Sequence, residues 1–574
     1  MTQPVVEAES VLAIDISSAQ TRALLFDVVD GQYRFVSAGE APTTARAPFF
    51  HIGEGVQQAI QRLSELTARN FYDGTGRLIL PSDLSGNGVD QLAITYSLGP
   101  SLRIVTAGLL EDISLRSINR LAASLPGQVL DSIGLTDRRH PEEQIDALLK
   151  AEPDLILIAG GIDGGANRSV ARLAELIQFA VQILPSEKRP EIIYAGNPDL
   201  AARISETLSP YAPVSAAPNV RPAMEIENLG PAYEKASEVL TRIRSRQLGG
   251  LADMAKLATK DPIPTQYGFG RIIRFLSQIY DRAKGVFGLD LGSSTITMAA
   301  GRQGQLCLSM VPCGLGIGLT RALELTDINE VLQWLPGQHA AGDVRDYLYN
   351  KTLFPDSVPV TEESVMIEHA MARQLLRLGM QRLLSDWPQL TVSFEPILAS
   401  GQVFAERASC WQSLQILLDG LQPIGITTLV LDAYDLTPAL GSLAEINPLL
   451  PVQVIESSAY LNLGTVIAPI CRAKPGTPIL EVRVEYEHGE EARLEVKQGS
   501  LTVLPIRPEQ AANVHLKALR PMQIDPLRGD QSHSYRIVGG ACGAIIDTRG
   551  RPLVMPPDPE KRTALLQQWA AELR

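Results

Sequence analysis

Residues 286–301 read VFGLDLGSSTITMAAG, and residues 11–26 read VLAIDISSAQTRALLF. Each is an apolar run ending in an aspartate, then a short turn rich in hydroxyl residues, then a second apolar run. Asp15 stands where Asp290 does, Ser18 stands where Ser293 does, and Ser17 replaces Gly292. The pattern predicts strand, tight turn, strand. Such a turn aims successive backbone N–H groups at one point, which suits a phosphate. The hydroxyls of Ser293, Ser294 and Thr295 would add bonds, and Asp290 would hold Mg²⁺ directly or through water. Asp15 and Ser18 would do the same from the opposite side. A polar hairpin turn favours Asp, Gly and Ser in any case. The argument for a ligand therefore rests on the repeat, two turns 275 positions apart that could clamp one nucleotide.

The rest of the chain is organised around these turns. At 574 residues it is too long for one core and implies about three to five domains. Three strands are predicted over 11–43, with Asp30-Gly31 as a hairpin turn. A helix over 53–69 would place Val56, Ile60, Leu63 and Leu66 on one face. From about residue 90, short apolar strands such as DLILIAGG (154–161) alternate with amphipathic helices, which predicts parallel βαβ units. This block reads as an insertion, since the first strand pattern resumes only at residue 286. The last hundred residues alternate with period two around turns such as HGEE and predict a small β domain. The expected division is 1–88 first lobe, 89–222 inserted Rossmann-like domain, 223–284 helical connection, 285–464 second lobe and 465–574 C-terminal β domain.

Composition excludes several functions. The net charge of −13 offers no electrostatic footprint for nucleic acid or anionic membrane. The basic RIRSR at 242–246 reads as a solvated helix end. No apolar run approaches the roughly 20 residues that cross a bilayer, and the N-terminus lacks the features of a signal peptide. Five scattered cysteines without a CxxC pair fit reduced thiols, so the cytoplasm is the expected location. There is no GxxxxGK[ST] loop, no GxSxG and no HExxH. GLGIG (314–318) and GGIDGG (160–165) read as loops ahead of helices, without a dinucleotide fingerprint. The DxHxxG turn that presents a histidine to cobalt is absent at both His51 and His140, so cobalamin is not expected to bind through histidine.

DISSAQTR (15–22) and DLGSSTIT (290–297) resemble the two phosphate motifs of the actin-like ATPase superfamily, which includes sugar kinases and heat-shock chaperones. ILASGQVF (397–404) resembles its adenosine motif, and LDAYDLTPALGSLAEI (431–446) its closing connection, in the family's order. More narrowly, DLILIAGGIDGGANRSV, EIIYAGNPDLAARI and APNVRPAMEIENLGPA resemble the MutL/GlmL family associated with glutamate mutase. The resemblance covers about residues 11–464. It implies a two-lobed, ribonuclease H-like α/β fold that binds ATP or ADP with Mg²⁺. The implied partner is a subunit of an adenosylcobalamin-dependent mutase. The site it implies is Asp15 and Asp290 as catalytic and metal residues. Ser17, Ser18, Thr21, Arg22, Gly292, Ser293, Ser294, Thr295 and Gly401 would contact the nucleotide. Two positions depart from the pattern: Ser17 replaces a glycine, and Thr297 replaces an aspartate that would order water. A Cβ at Ser17 is expected to crowd the turn, and hydrolysis is therefore expected to be slow. The alternative is a non-catalytic scaffold that keeps the fold with a degenerate site. A small-molecule kinase is a third reading, without a candidate base for a substrate hydroxyl.

Overall fold

The computed structural model describes residues 9–405, 408–527 and 534–573. The first lobe begins with β1 (Val11–Ile16), β2 (Gln20–Val29) and β3 (Gln32–Pro42). Asp30 and Gly31 both take positive φ between β2 and β3, as a two-residue hairpin requires. Helix Gly53–Thr67 covers this sheet with Val56, Ala59, Ile60 and Leu63. Leu66 does not join them and is 67% exposed. It stands in the last turn of the helix, one residue before its end at Thr67. The central partner is β4 (Gln91–Tyr96), parallel to β1, with Thr95 beside Asp15.

The chain then builds a separate sheet from β5 (Leu102–Ala107), β6 (Gly127–Ile133), β7 (Leu155–Ile158), β8 (Glu191–Tyr194) and β9 (Val214–Ala216). All neighbours are parallel, in the order β6-β5-β7-β8-β9. Burial on both faces explains the unbroken apolar runs in β7 and β8. Ile104, Leu155 and Leu157 face the main core, while Val105, Ile156 and Ile158 face a core of the insert's own. The GGIDGG loop follows β7 and is tied down by Asn219, whose Nδ2 donates to the Gly161 carbonyl and to Asp163. Arg242 and Arg246, from the basic stretch RIRSR, both pair with buried Glu191 at 2.9 Å. They fasten helix Gly230–Gln247 to the insert.

The chain returns to the first sheet through the two-residue strand β10 (Ile263–Pro264), which runs beside β4. The second lobe contains β11 (Val286–Leu291), β12 (Ile296–Arg302), β13 (Gln305–Val311), β14 (Ile397–Ser400), β15 (Gly425–Asp432) and β16 (Tyr460–Ala468). Strands Ala544–Asp547 and Leu501–Leu504 extend this sheet beyond β16 to eight strands. The region expected as a C-terminal β domain thus divides between this sheet and a four-stranded sheet that packs on it through a shared core, with Ile426, Ile467 and Ile546 on one side and Val482 and Val514 on the other. Buried Arg549 secures the join, pairing with Asp547 at 2.9 Å and with Asp419 at 2.6 Å.

Two helices cross where the lobes meet. Helix Thr265–Ile279 follows β10 and helix Leu436–Leu443 follows β15. They touch at Gly268 and Gly441, and a Cβ at Gly441 would strike the Gly268 carbonyl. Among the described residues no helix is long and apolar enough to cross a membrane.

Candidate functional site

The ladder register sets out the acids. On β11, Asp290 lies beside Ser400 of β14, and Ser400 lies beside Asp432 of β15. In the first lobe, Asp15 of β1 lies beside Thr95 of β4. All five strands deliver these groups at their carboxyl ends, where sheets of this kind bind ligands.

The two turns meet. Asp15, Ser17, Ser18, Arg22, Asp290, Gly292, Ser293, Ser294, Thr295 and Gly401 all line one cleft, as the repeat predicts. The Ser18 and Ser294 hydroxyls are hydrogen-bonded at 2.6 Å, directly between the lobes. Thr21 is the exception. It is buried on the other face of β2, with its hydroxyl 2.9 Å from that of Thr43. Alternation along the strand sends Arg22 to the cleft and Thr21 away from it.

The carboxylates differ in how they are held. Asp15 accepts from the hydroxyls of Thr95 at 2.6 Å and Thr265 at 3.1 Å. Burial pushes its pKa up, against the pull of Arg22. Asp432 is fully buried and accepts the backbone N–H groups of Leu436 and Thr437 and the Thr437 hydroxyl. Burial, then the charge of Asp435, raise Asp432 to about 6. Asp435 accepts the Gly401 N–H at 3.0 Å and pairs with Arg22 across the cleft at 2.6 Å. Asp290 has no hydrogen-bond partner among the described residues. Burial, then the charges of Asp435 and Asp15, push its pKa up to about 8.

The turns explain the serine-for-glycine exchange. Ser17 is not in the left-handed region, and neither is Gly292. A Cβ at Gly292 would meet only the Thr295 carbonyl, at 3.3 Å. Ser17 therefore carries no left-handed strain in this turn. The Ser17 hydroxyl instead donates to the Gln20 carbonyl at 2.9 Å and accepts the Gln20 N–H at 3.1 Å, so it holds its own turn. The second turn is held from outside by the GLGIG segment. Leu315 and Gly318 donate their N–H groups to the carbonyls of Gly292 and Ser293, at 3.0 and 2.9 Å. Those N–H groups are thus spent on the turn and do not face a ligand. The backbone N–H groups of Ser18, Ser293, Ser294 and Thr295 have no acceptor among the described residues and remain for an anion.

Asp432 and Asp435 were not singled out from the sequence, although the segment carrying them was. Their signal was the D-x-x-D spacing at the end of a strand, which caps the following helix and so looks purely structural. Among the described residues no group of three or more His, Cys, Asp or Glu side chains is arranged to ligate a metal. Mg²⁺ keeps several waters and uses one or two carboxylates together with phosphate oxygens. The residues that would hold it are Asp290 and Asp15.

One curated relative is Protein MutL of Clostridium tetanomorphum, 23% identical over 323 residues. The aligned region spans 52% of this chain and 66% of that protein, slightly under two thirds of its length. Among solved structures, the nucleotide-free acetone carboxylase has a TM-score of 0.33 at 11% identity, covering 86% of this chain and 81% of that one. The xylulose kinase of Bifidobacterium adolescentis has a TM-score of 0.29 at 13% identity, covering 80% and 96%. Component A of the Acidaminococcus fermentans (R)-2-hydroxyglutaryl-CoA dehydratase has a TM-score of 0.26 at 8% identity, covering 76% and 96%. At such scores no residue is carried across from these structures. The family model described as MutL protein matches residues 11–459, well over half of the chain, and the protein belongs to the MutL family.

Proposed function

We propose that the protein is an actin-like, Mg-nucleotide-binding accessory protein of the chaperone or reactivase type. Its client would be an adenosylcobalamin-dependent mutase of the glutamate mutase kind, and its setting the cytoplasm. The observation that carries the nucleotide part is the pair of turns that line one cleft together with Asp15 and Asp290, with four backbone N–H groups that have no acceptor among the described residues. The turns would cradle phosphate oxygens, and Mg²⁺ would neutralise the charge between those oxygens and the aspartates. Hydrolysis would be slow, because Thr297 supplies a hydroxyl where a carboxylate would order the attacking water. The mutase as client follows from family membership alone, which is an association and not a physical argument.

One observation favours a non-catalytic scaffold. The cleft holds a cavity of only about 70 Å³, where ligand pockets usually run to about 300 Å³ or more. The Ser18–Ser294 and Arg22–Asp435 contacts close it. A nucleotide must break both, so the lobes would have to part.

Calorimetry with Mg-ATP and Mg-ADP decides between the two. The proposal expects binding that is lost when Mg²⁺ is chelated. Absence of binding at millimolar nucleotide leaves the scaffold. For the client, an inactivated glutamate mutase-type enzyme should regain activity with this protein and Mg-ATP. Equal recovery without nucleotide would remove the coupling.

A further inference from the structure

A second and larger cavity adjoins the cleft. Its volume is about 570 Å³, and it shares Ser18, Ser97, Ser294 and Thr295 with the lining of that cleft. Both lobes contribute to its walls. Its charge is one-sided. Arg321 is paired with Glu324 at 2.6 Å. Arg46, exposed at the rim, has no carboxylate within ion-pair distance among the described residues.

The floor adds a second cation without a paired carboxylate. Gly99 and Pro100 line the cavity, and the guanidinium of Arg244 packs against Gly99. Arg244 is 1% exposed. Its terminal nitrogens donate to Gln247 at 2.6 Å and to the Pro100 carbonyl at 2.7 Å, while its Nε has no acceptor. No carboxylate pairs with it among the described residues. Gly99 takes a φ of +118°, and a Cβ there would lie 2.6 Å from the guanidinium carbon, so only glycine lets the backbone lie flat on the charge. Burial lowers the Arg244 pKa to about 10, which still leaves it protonated at neutral pH. The Asp154 carboxylate favours its charge from a distance, but a buried cation without a paired carboxylate is costly to maintain, and an anion nearby would offset that cost.

We infer that this cavity binds an organic anion, a carboxylate or a phosphate monoester, through Arg46 over the positive floor that Arg244 supplies. The inference stands apart from the nucleotide reading, since none of these arginines lines the phosphate cleft. The ligand would touch both lobes next to Ser18 and Ser294, so its binding would be linked to the state of those turns.

The test uses the full chain with succinate or inorganic phosphate, and chloride at matched ionic strength as the control. Thermal unfolding and calorimetry should show stabilisation and binding by at least one anion beyond the chloride effect. Succinate alone would identify a carboxylate ligand, and phosphate alone a phosphate ester. Arg46→Gln, a surface change, should weaken that binding about tenfold or more, the loss of a charge-assisted bond. Its melting temperature without ligand and its Mg-ADP binding should match the parent. Arg244→Met, read only if its circular dichroism is native, should weaken the anion in the same direction. No effect of either anion beyond chloride, or full anion affinity in Arg46→Gln, would overturn the inference. So would a joint loss of anion and Mg-ADP in Arg46→Gln, because one anion site at the turns would then explain both.

Discussion

At the first turn the aspartate is already engaged. Asp15 takes two threonine hydroxyls, and across the ladder from it stands Arg22. At the second turn Asp290 has no hydrogen-bond partner among the described residues, and across the ladder from it stands Thr297. The first turn is self-held through Ser17, the second is held by the neighbouring GLGIG segment. The same strand-turn-strand plan thus yields one turn whose charge is balanced within the protein and one whose charge is not. The unbalanced side is where a cation is needed. Placing an acid at position 297 would put a like charge directly across from Asp290, which disfavours both.

The largest expected effect tests that imbalance. Asp290→Asn should weaken Mg-nucleotide binding by about 10²-fold or more while leaving metal-free nucleotide nearly unchanged. Calorimetry with and without EDTA reads it, and equal losses in both would show that the two turns do not differ. Mg²⁺ binding should also displace the Asp290 proton, strengthening by about tenfold per pH unit between pH 6 and 8. The sign for stability follows from the raised pKa of about 8. The folded protein holds a proton that the unfolded chain has already released above about pH 4. Without metal, this group's contribution therefore falls as pH rises from about 4 to 8. With Mg²⁺ the melting temperature should decline less over that range, and a parallel decline would count against metal at Asp290.

The next effect belongs to the other turn. Asp15→Ala leaves the buried Thr95 and Thr265 hydroxyls without their acceptor, which should cost about 1–3 kcal/mol. Asp290→Ala should cost nothing comparable and should raise metal-free stability near neutral pH. Chemical denaturation compares the pair, and equal losses would erase the distinction.

The smallest effect exchanges the turn residues. Ser17→Gly removes bonds that close the first turn and should cost about 1 kcal/mol, without speeding hydrolysis. Gly292→Ser should be near neutral, since its Cβ meets only the Thr295 carbonyl, at 3.3 Å. A gain in ATPase rate from Ser17→Gly would restore the view that a side chain there obstructs the phosphate.

The sequence showed what is local. Each turn carries its aspartate, hydroxyls and flanking strands within sixteen residues, so their common cleft was legible from the repeat. Thr21 and Arg22 are adjacent on one strand and point to opposite faces, so the sequence allowed only one of them to reach the cleft. The role of GLGIG was not legible, because its N–H groups bind a turn more than twenty residues away. Nor was the Arg22–Asp435 pair, which joins positions more than 400 apart. Ser17 looked like damage to a motif because its hydroxyl bonds could be seen only in three dimensions.

The helix crossing at Gly268 and Gly441 has a consequence for sequence variation. Most core contacts allow exchange, in which a larger residue on one side is offset by a smaller one on the other. Here both partners are already the smallest residue. A Cβ at Gly441 would strike the Gly268 carbonyl, and a Cβ at Gly268 would strike the Pro438 carbonyl. No second-site change of side chain can make room, because the obstacle on each side is backbone. The two positions are therefore fixed independently, and a suppressor of either substitution has to move a whole helix.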